Sequence, residues 1–244
     1  MNKSILMKLG LSLLVMTFTT SLGWSQETKA QRKIYTTTGG EVILSWADAK
    51  DNGADANSVL RFAPFFNFQN QLHLDMHDKL GFFTGLNIRN IGFIYDDPVE
   101  VNTRYKLRTY SLGIPFAVKV GTMQGTFVFV GYEIELPINF KAKTFVNEDK
   151  VSKSSDWFSK RTPGLYQSLF VGVQAPYGLQ VKFKYYMTNF VDKGYVANDG
   201  NGNAIYPYQN FEANVFYISL SFQLFKNASF YYDEILDQSG SNEH

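Results

Sequence analysis

Residues 103–140 read TRYKLRTYSLGIPFAVKVGTMQGTFVFVGYEIELPINF, and this stretch decides the fold. Apolar and polar residues alternate on both sides of a short segment bounded by Gly121 and Gly125. Because strand side chains point to alternate faces, the pattern predicts a hairpin of Thr103–Val120 and Thr126–Phe140 with one apolar and one polar face. The apolar face is at least as long as the roughly 9–11 residues that a tilted strand needs to cross a bilayer, which indicates a membrane-spanning barrel.

Eight segments alternate in this way and predict an all-β fold, an eight-stranded antiparallel transmembrane up-and-down β-barrel. The predicted strands are Ile34–Ala47, Val59–Gln69, Leu80–Tyr95, Thr103–Val120, Thr126–Phe140, Gly164–Ala175, Leu179–Val191 and Phe211–Phe225. Connections after even-numbered strands are mostly short, although Asn70–Lys79 is longer than a minimal turn. Since such barrels have short periplasmic turns and longer extracellular loops, both chain ends are expected in the periplasm.

The N-terminus predicts the compartment. Lys3 and Lys8 precede or flank the apolar stretch Leu9–Phe18, and small residues follow, the layout of a secretory signal peptide over residues 1–25. Residues 26–226 are predicted to form an outer-membrane β-barrel and residues 227–244 a periplasmic C-terminal tail. The sequence has no cysteine, which excludes a lipoprotein anchor, and its net charge of +1 argues against a nucleic-acid partner.

Seven charged residues fall on the polar, lumen-facing parity of the predicted strands: Arg61, Arg89, Lys119, Glu133, Glu135, Lys182 and Lys184. An eight-stranded barrel is just wide enough for side chains to fill it, so these charges must pair or neutralise one another. The prediction is a structural ion-pair network, with a proton or small-ion path as the alternative.

Arg104, Lys106 and Arg108 share the lipid-facing parity and precede the apolar band at the predicted extracellular end. Cations there are candidates to contact lipopolysaccharide phosphates, and the alternative is a strand that projects beyond the membrane into water. In the longest connection, Lys141–Pro163, the exposed pair Trp157 and Phe158 is a candidate contact site for a partner. The alternative for this pair is a place in the interfacial aromatic belt.

Two motifs with metal-binding residue types are weaker candidates. His73 and His77 have the i, i+4 spacing of a zinc site, but Leu74 stands where a metalloprotease has glutamate, and the pair is expected in a solvated turn. Residues 198–203 resemble the start of a calcium loop, without its glycine and closing glutamate. All three histidines are expected on the periplasmic side, so we predict no catalytic, cofactor or metal site and no enzyme activity.

The sequence is similar to one known group. Residues 110–119, YSLGIPFAVK, resemble the Tyr-x-Leu-Glu-Ile-Pro-Leu-x-x-Lys stretch of small Bacteroidetes outer-membrane β-barrel proteins, the PorT-like group. Residues 85–92 and 216–222 also resemble that group, and the resemblance covers most of residues 40–226. It implies a barrel from a group with members tied to protein secretion. Gly113 stands where the group has glutamate; if the turn centres on Met123, Gly113 faces Glu133, which would supply the carboxylate from the neighbouring strand.

The sequence therefore predicts a non-enzymatic protein of the bacterial outer membrane, a structural or secretion/adhesion accessory that acts through extracellular loops. Its expected partners are outer-membrane lipid, lipopolysaccharide and other envelope or secretion proteins, and no cofactor is expected. One alternative is a narrow porin-like channel for small solutes or ions. Another is a lipocalin-like carrier, which the charged inward parity disfavours.

Overall fold

The computed structural model describes residues 33–123 and 125–231, the side chains only as far as residue 223. Thirteen strands alternate with turns: β1 (Lys33–Asp51), β2 (Ala54–Val59), β3 (Arg61–Ala63), β4 (Phe68–His77), β5 (Leu80–Asp96), β6 (Thr103–Gly121), β7 (Phe127–Val146), β8 (Asp149–Trp157), β9 (Tyr166–Gln174), β10 (Leu179–Tyr186), β11 (Ala197–Asn198), β12 (Ala204–Ile205) and β13 (Phe211–Tyr231). A single 3₁₀ turn, Pro176–Gly178, precedes β10. Within the described ranges, no helix has the length and apolar character needed to cross a membrane.

The strands close into an antiparallel ring of eight positions. Around the ring lie β1, the interrupted strand β2–β4, β5, β6, β7, the interrupted strand β8–β9, β10 and β13. The ring closes because β13 pairs with β1 over their whole length, from Asp51 opposite Phe211 to Lys33 opposite Tyr231. This confirms the predicted eight-stranded barrel, in which the first and last strands are paired with each other.

The two ends of the barrel differ in their connections. At one end, which we call the turn end, the strands are joined by residues 78–79, 122–126 and 175–178. The other, the hairpin end, carries residues 52–53, 97–102, 147–148, 158–165 and 187–210. The prediction of a long turn at Asn70–Lys79 is wrong, because β4 runs to His77 and leaves only two turn residues.

At the hairpin end, one predicted loop is largely strand. The predicted loop Lys141–Pro163 is mostly a hairpin, in which β7 continues to Val146, turns through Asn147 and Glu148, and pairs with β8. The two turn residues have positive φ angles of 51° and 70°, as a tight hairpin turn requires. The sequence misled because residues 141–156 show no sustained apolar face, and a strand projecting into water needs none.

The last two barrel strands end elsewhere than predicted. β10 stops at Tyr186 instead of Val191, and the Asn189 side chain then binds backbone groups of Val191 and Ala213. β13 continues to Tyr231, so residues 227–231 pair with β1 although they were predicted in the tail. The predicted signal peptide, residues 1–25, and residues 232–244 lie outside the described residues.

The outer surface of the barrel is an apolar band. Large aliphatic and aromatic side chains point outward from every barrel strand, for example Ile114, Phe116 and Val130, which are 48%, 53% and 59% exposed. From Tyr110 to Val120, a strand tilted by about 40° rises about 26 Å, close to the ~25 Å apolar band of outer-membrane barrels. A closed β-barrel with such a surface is the β-structure that spans membranes, which agrees with the expected place in the bacterial outer membrane.

Candidate functional site

Six charged side chains occupy the centre of the lumen, three carboxylates and three cations, and none is more than 4% exposed. They come from β1, β5, β7 and β10, and we call them the lumen network: Glu41, Arg89, Glu133, Glu135, Lys182 and Lys184. Strand alternation explains their position, because each lies on the parity opposite the apolar outer face. The numbers of positive and negative groups are equal, so the network carries no net charge.

Arg89 is the residue that joins the network. Its Nε donates to Glu41 Oε2 at 2.9 Å, and its Nη1 contacts Glu133 and lies 3.3 Å from Glu135 Oε1. Lys184 Nζ is 2.7 Å from Glu133 Oε2 and also contacts Glu135. Lys182 Nζ lies 2.7 Å from Glu41 Oε1. Each carboxylate therefore touches two cations.

Neutral donors complete the coordination of the three carboxylates. Asn87 Nδ2 donates to Glu133 at 2.8 Å, and Ser219 Oγ donates to Glu41. The Ser111 and Tyr186 hydroxyls donate to Glu135 at 2.5 and 2.8 Å. Buried charges are tolerated only when they are paired and hydrogen-bonded in this way, and such a network holds the strands in one register.

Gly113 makes room for the two carboxylates of β7. Its cross-strand partner is Glu135, so the predicted pairing with Glu133 is wrong by two residues, which is one step along the inward face of β7. A side chain at residue 113 would nevertheless overlap the Glu133 carboxylate and approach Glu135 Cγ to 2.9 Å. The carboxylates of β7 thus fill the space above this glycine.

Aromatic packing closes the lumen on the hairpin side of the network. Phe93 packs against Phe190 and Phe211 with ring centroids 5.2 and 6.4 Å apart, and the Tyr166 hydroxyl donates to Phe190 O at 2.7 Å. Phe190 belongs to the segment after β10 that folds inward, and it is 2% exposed. These side chains are the hairpin-side plug, the largest apolar cluster described.

A second apolar cluster, the turn-side plug, closes the other side. Its buried members are Phe83, Ala117, Met123, Phe127, Phe129 and Phe170. Phe129 lies opposite Gly172 and Phe170 opposite Gly131 in the β7–β9 pairing, and a Cβ on either glycine would collide with the facing ring. The missing side chains make room for the two rings, whose planes are inclined at 61° to each other, so apolar rings lie on both sides of the network.

Lys119 lies apart from the lumen network, near the turn end. Its Nζ is 2.5 Å from Asp75 Oδ1 and 3.1 Å from both Tyr35 Oη and His73 Nδ1. His73 stacks on Tyr35 with ring centroids 4.6 Å apart, and Thr37 lies within hydrogen-bonding distance of its Nε2. The expectation that His73 lies in a solvated turn is wrong, since the side chain is 1% exposed inside the barrel.

Arg61 is also buried, but no ion pair of the described residues includes it. Its guanidinium donates to Asn90 O at 3.1 Å and to Asn90 Oδ1 at 2.7 Å, and its Nε has no hydrogen-bond partner. Its assignment to an ion-pair network is therefore corrected. The strand β2–β4 is interrupted at residues 64–67, and beside this interruption the Asn90 backbone N–H binds Asn67 Oδ1 while its carbonyl accepts from Arg61.

On the outer wall, a cross-strand cluster of cations lies just above Tyr110. In the register, Lys106 faces Lys143, Lys143 faces Lys153, and Arg108 faces Lys141. We call Lys106, Arg108, Lys141, Lys143 and Lys153 the basic cluster. Arg104, predicted in the same group, instead pairs with Asp96 at 2.6 Å.

Trp157 ends β8 and Phe158 follows it, and the two side chains are 69% and 72% exposed. Trp157 pairs with Asn139, which pairs in turn with Tyr110, so Trp157 lies level with the upper edge of the apolar band. This position suits the interfacial aromatic belt better than the tip of a projecting loop.

The segment that resembled a calcium loop is a small turn between β11 and β12. The Asp199 carboxylate accepts hydrogen bonds from the backbone N–H groups of Asn201 and Asn203 and from the Asn203 side chain. These bonds from Asn203 hold the pKa of Asp199 below its usual value. The oxygens that a cation would need are thus engaged in the turn.

Glu41 and Asp75 are the two buried acids that sequence reasoning missed. Glu41 alternates with Val42 and Leu44 on the inward parity of β1. Asp75 continues the inward parity of Gln69 in β4, beyond the point where a turn was expected. Following the alternation within the first predicted strand would have found Glu41, and extending that of the second strand would have found Asp75.

No family model matches the chain, and no curated protein is similar to it in sequence. Solved structures with a similar arrangement include Neisserial surface protein A, with a TM-score of 0.34, 12% identity, and coverage of 78% of this chain and 96% of that one. For Ail, the attachment invasion locus protein of Yersinia pestis, the TM-score is 0.32 and the identity 7%, with coverage of 82% of this chain and 99% of that one. For the outer membrane protein OprG of Pseudomonas aeruginosa, the TM-score is 0.34 and the identity 13%, with coverage of 83% of this chain and 97% of that one.

Proposed function

We propose that this chain is a non-enzymatic outer-membrane barrel with a sealed lumen, which acts through the surface that its hairpin end presents outside the cell. The observation that carries the proposal is the neutral lumen network between two apolar plugs. Side chains that fill the cross-section at three levels leave the outer wall and the projecting hairpins as the surfaces available to partners.

The sealed lumen favours a structural, adhesion or secretion-accessory role over a narrow porin. A conducting pore needs a continuous hydrated path, whereas Arg89, Glu135 and Lys184 are 0–1% exposed and engage one another. The resemblance to the PorT-like group supports a place among Bacteroidetes envelope proteins and a link to secretion. The hairpin end is assigned to the cell exterior because outer-membrane barrels carry their longer connections there.

The decisive experiment is conductance of the mature protein in planar bilayers. Protein whose unboiled and boiled forms migrate differently on SDS gels, and which is therefore folded, should give no single-channel steps. Discrete steps from the same folded preparation would favour the porin instead. Fractionation of cells provides the localisation test, in which recovery in the soluble periplasm without detergent would refute the outer-membrane assignment.

Topology is tested by proteolysis of cells. A protease added to intact cells should cut within residues 147–153, at the tip of the β7–β8 hairpin. Cutting only after permeabilisation would invert the barrel and remove the proposed external contact surface.

A further inference from the structure

We propose that the basic cluster binds the phosphate groups of lipopolysaccharide in the outer leaflet. This proposal deepens the proposed function, because it requires the hairpin end to face outward. It replaces the set expected from sequence with five cations from three adjacent strands, and it excludes Arg104 because Asp96 already neutralises that side chain.

The first argument is electrostatic. Like charges placed directly opposite in a sheet destabilise the pairing, yet Lys106, Lys143 and Lys153 form one continuous row across three strands. No ion pair among the described residues includes any member of the cluster. A bound anion would remove the repulsion between these side chains.

The second argument concerns Arg108, which is partly buried. Its guanidinium lies 5.6 Å from the centroid of the Tyr110 ring, and its Nε is buried without a hydrogen-bond partner. Contact with Tyr110 fixes the orientation of the guanidinium. A planar, oriented guanidinium is the group that binds phosphate through two parallel hydrogen bonds.

The third argument is height, and it identifies the source of the phosphate. The cluster begins one inward–outward repeat above Tyr110, where the apolar band ends and lipid headgroups begin. Trp157 lies level with Tyr110 on the same wall, as an aromatic belt requires. A phosphate held at this height on the outer wall belongs to a lipid next to the barrel.

The proposal is tested by measuring how purified, folded protein in detergent binds three ligands. These are lipopolysaccharide, dephosphorylated lipopolysaccharide and a soluble sulfated oligosaccharide. The variant Lys106→Gln/Lys143→Gln should bind lipopolysaccharide about 30-fold more weakly, the loss expected for two lysines near an anionic membrane surface. The control Lys50→Gln/Lys193→Gln removes the same charge from the hairpin end on β1 and after β10, and should change binding less than threefold.

Dephosphorylated lipopolysaccharide should bind the unmodified protein about 30-fold more weakly than intact lipopolysaccharide does, a comparison that does not depend on whether the variant folds. Equal binding of both lipids, or an equal loss in the control, would overturn the proposal. Comparable affinity for the sulfated oligosaccharide would also overturn it, since the cluster would then be a site for soluble polyanions. Failure of the unmodified protein to give a heat-modifiable band would instead refute the barrel function.

Discussion

Strand β7 carries charges of two kinds, and the comparison between them explains how this barrel handles charge. Glu133 and Glu135 point into the lumen, where they touch cations from β5 and β10 and are at most 1% exposed. Lys141 and Lys143, further along the same strand, point outward and face other cations. The lumen network is balanced and hydrogen-bonded, whereas the basic cluster on the outer wall is of one sign and available to a ligand.

The difference follows from the surroundings. A charge between apolar plugs has no water to solvate it, so every group there needs an opposite partner. A charge above the apolar band remains solvated, so a cluster of one sign can form there, and binding of a ligand of opposite sign relieves its repulsion. Buried pairs therefore stabilise the register of the barrel, and the outer cluster can be specialised for binding.

The largest effect should come from Arg89→Ala. This change leaves three buried carboxylates with two lysines, and removal of one partner from a buried ion pair costs about 3–5 kcal/mol. The free energy of unfolding in urea, followed by heat-modifiable gel mobility, measures the loss. Arg104→Ala is the matched control, because its partner Asp96 is partly exposed and such pairs contribute about 0–1 kcal/mol. Equal losses in the two variants would mean that the lumen is hydrated.

The destabilisation caused by a cation on the outer wall should depend on the height of that cation relative to the apolar band. Ile134→Arg puts a cation on the lipid-facing side of β7 within the apolar band and should destabilise the barrel by about 2–4 kcal/mol. Val151→Arg puts the same side chain on the projecting β8, where it should have almost no effect. The two variants are compared by the folded fraction recovered from lipid vesicles. A smaller loss for Ile134→Arg than for Val151→Arg would reverse the assignment of the faces.

The smallest effect should come from shortening the β7–β8 hairpin. Replacement of residues 145–151 by Asn-Gly removes the tip above the Thr144–Ser152 pair and should change the free energy of unfolding by less than about 0.5 kcal/mol. The thermal unfolding midpoint in detergent measures the change. Removal of residues 158–163 should cost more, because the Arg161 guanidinium lies 5.9 Å from the Phe140 ring and covers it. If both deletions were equally harmless, Phe140 would not depend on this cover.

The sequence alone predicted the barrel, the number of strands and the face of nearly every residue in them. These properties follow from alternation, which is local: Glu133, Glu135, Lys182 and Lys184 are inward because their neighbours along the chain are outward. Alternation failed where the chain leaves the lipid, as in Lys141–Pro163, because a strand in water shows no apolar face. It also failed after Tyr186, where β10 ends earlier than predicted and Phe190 packs in the hairpin-side plug.

Only the tertiary structure decided which charges meet. Glu41 contacts Ser219, 178 residues away, and Arg61 meets Asn90 although its parity placed it with the ion-pair residues. Such partners depend on the register of strands across the lumen, which turns, the bend at residues 64–67 and ring closure set together. A local pattern tells each side chain which face it occupies. Its height relative to distant strands, and hence its partner, is fixed only when the sheet closes.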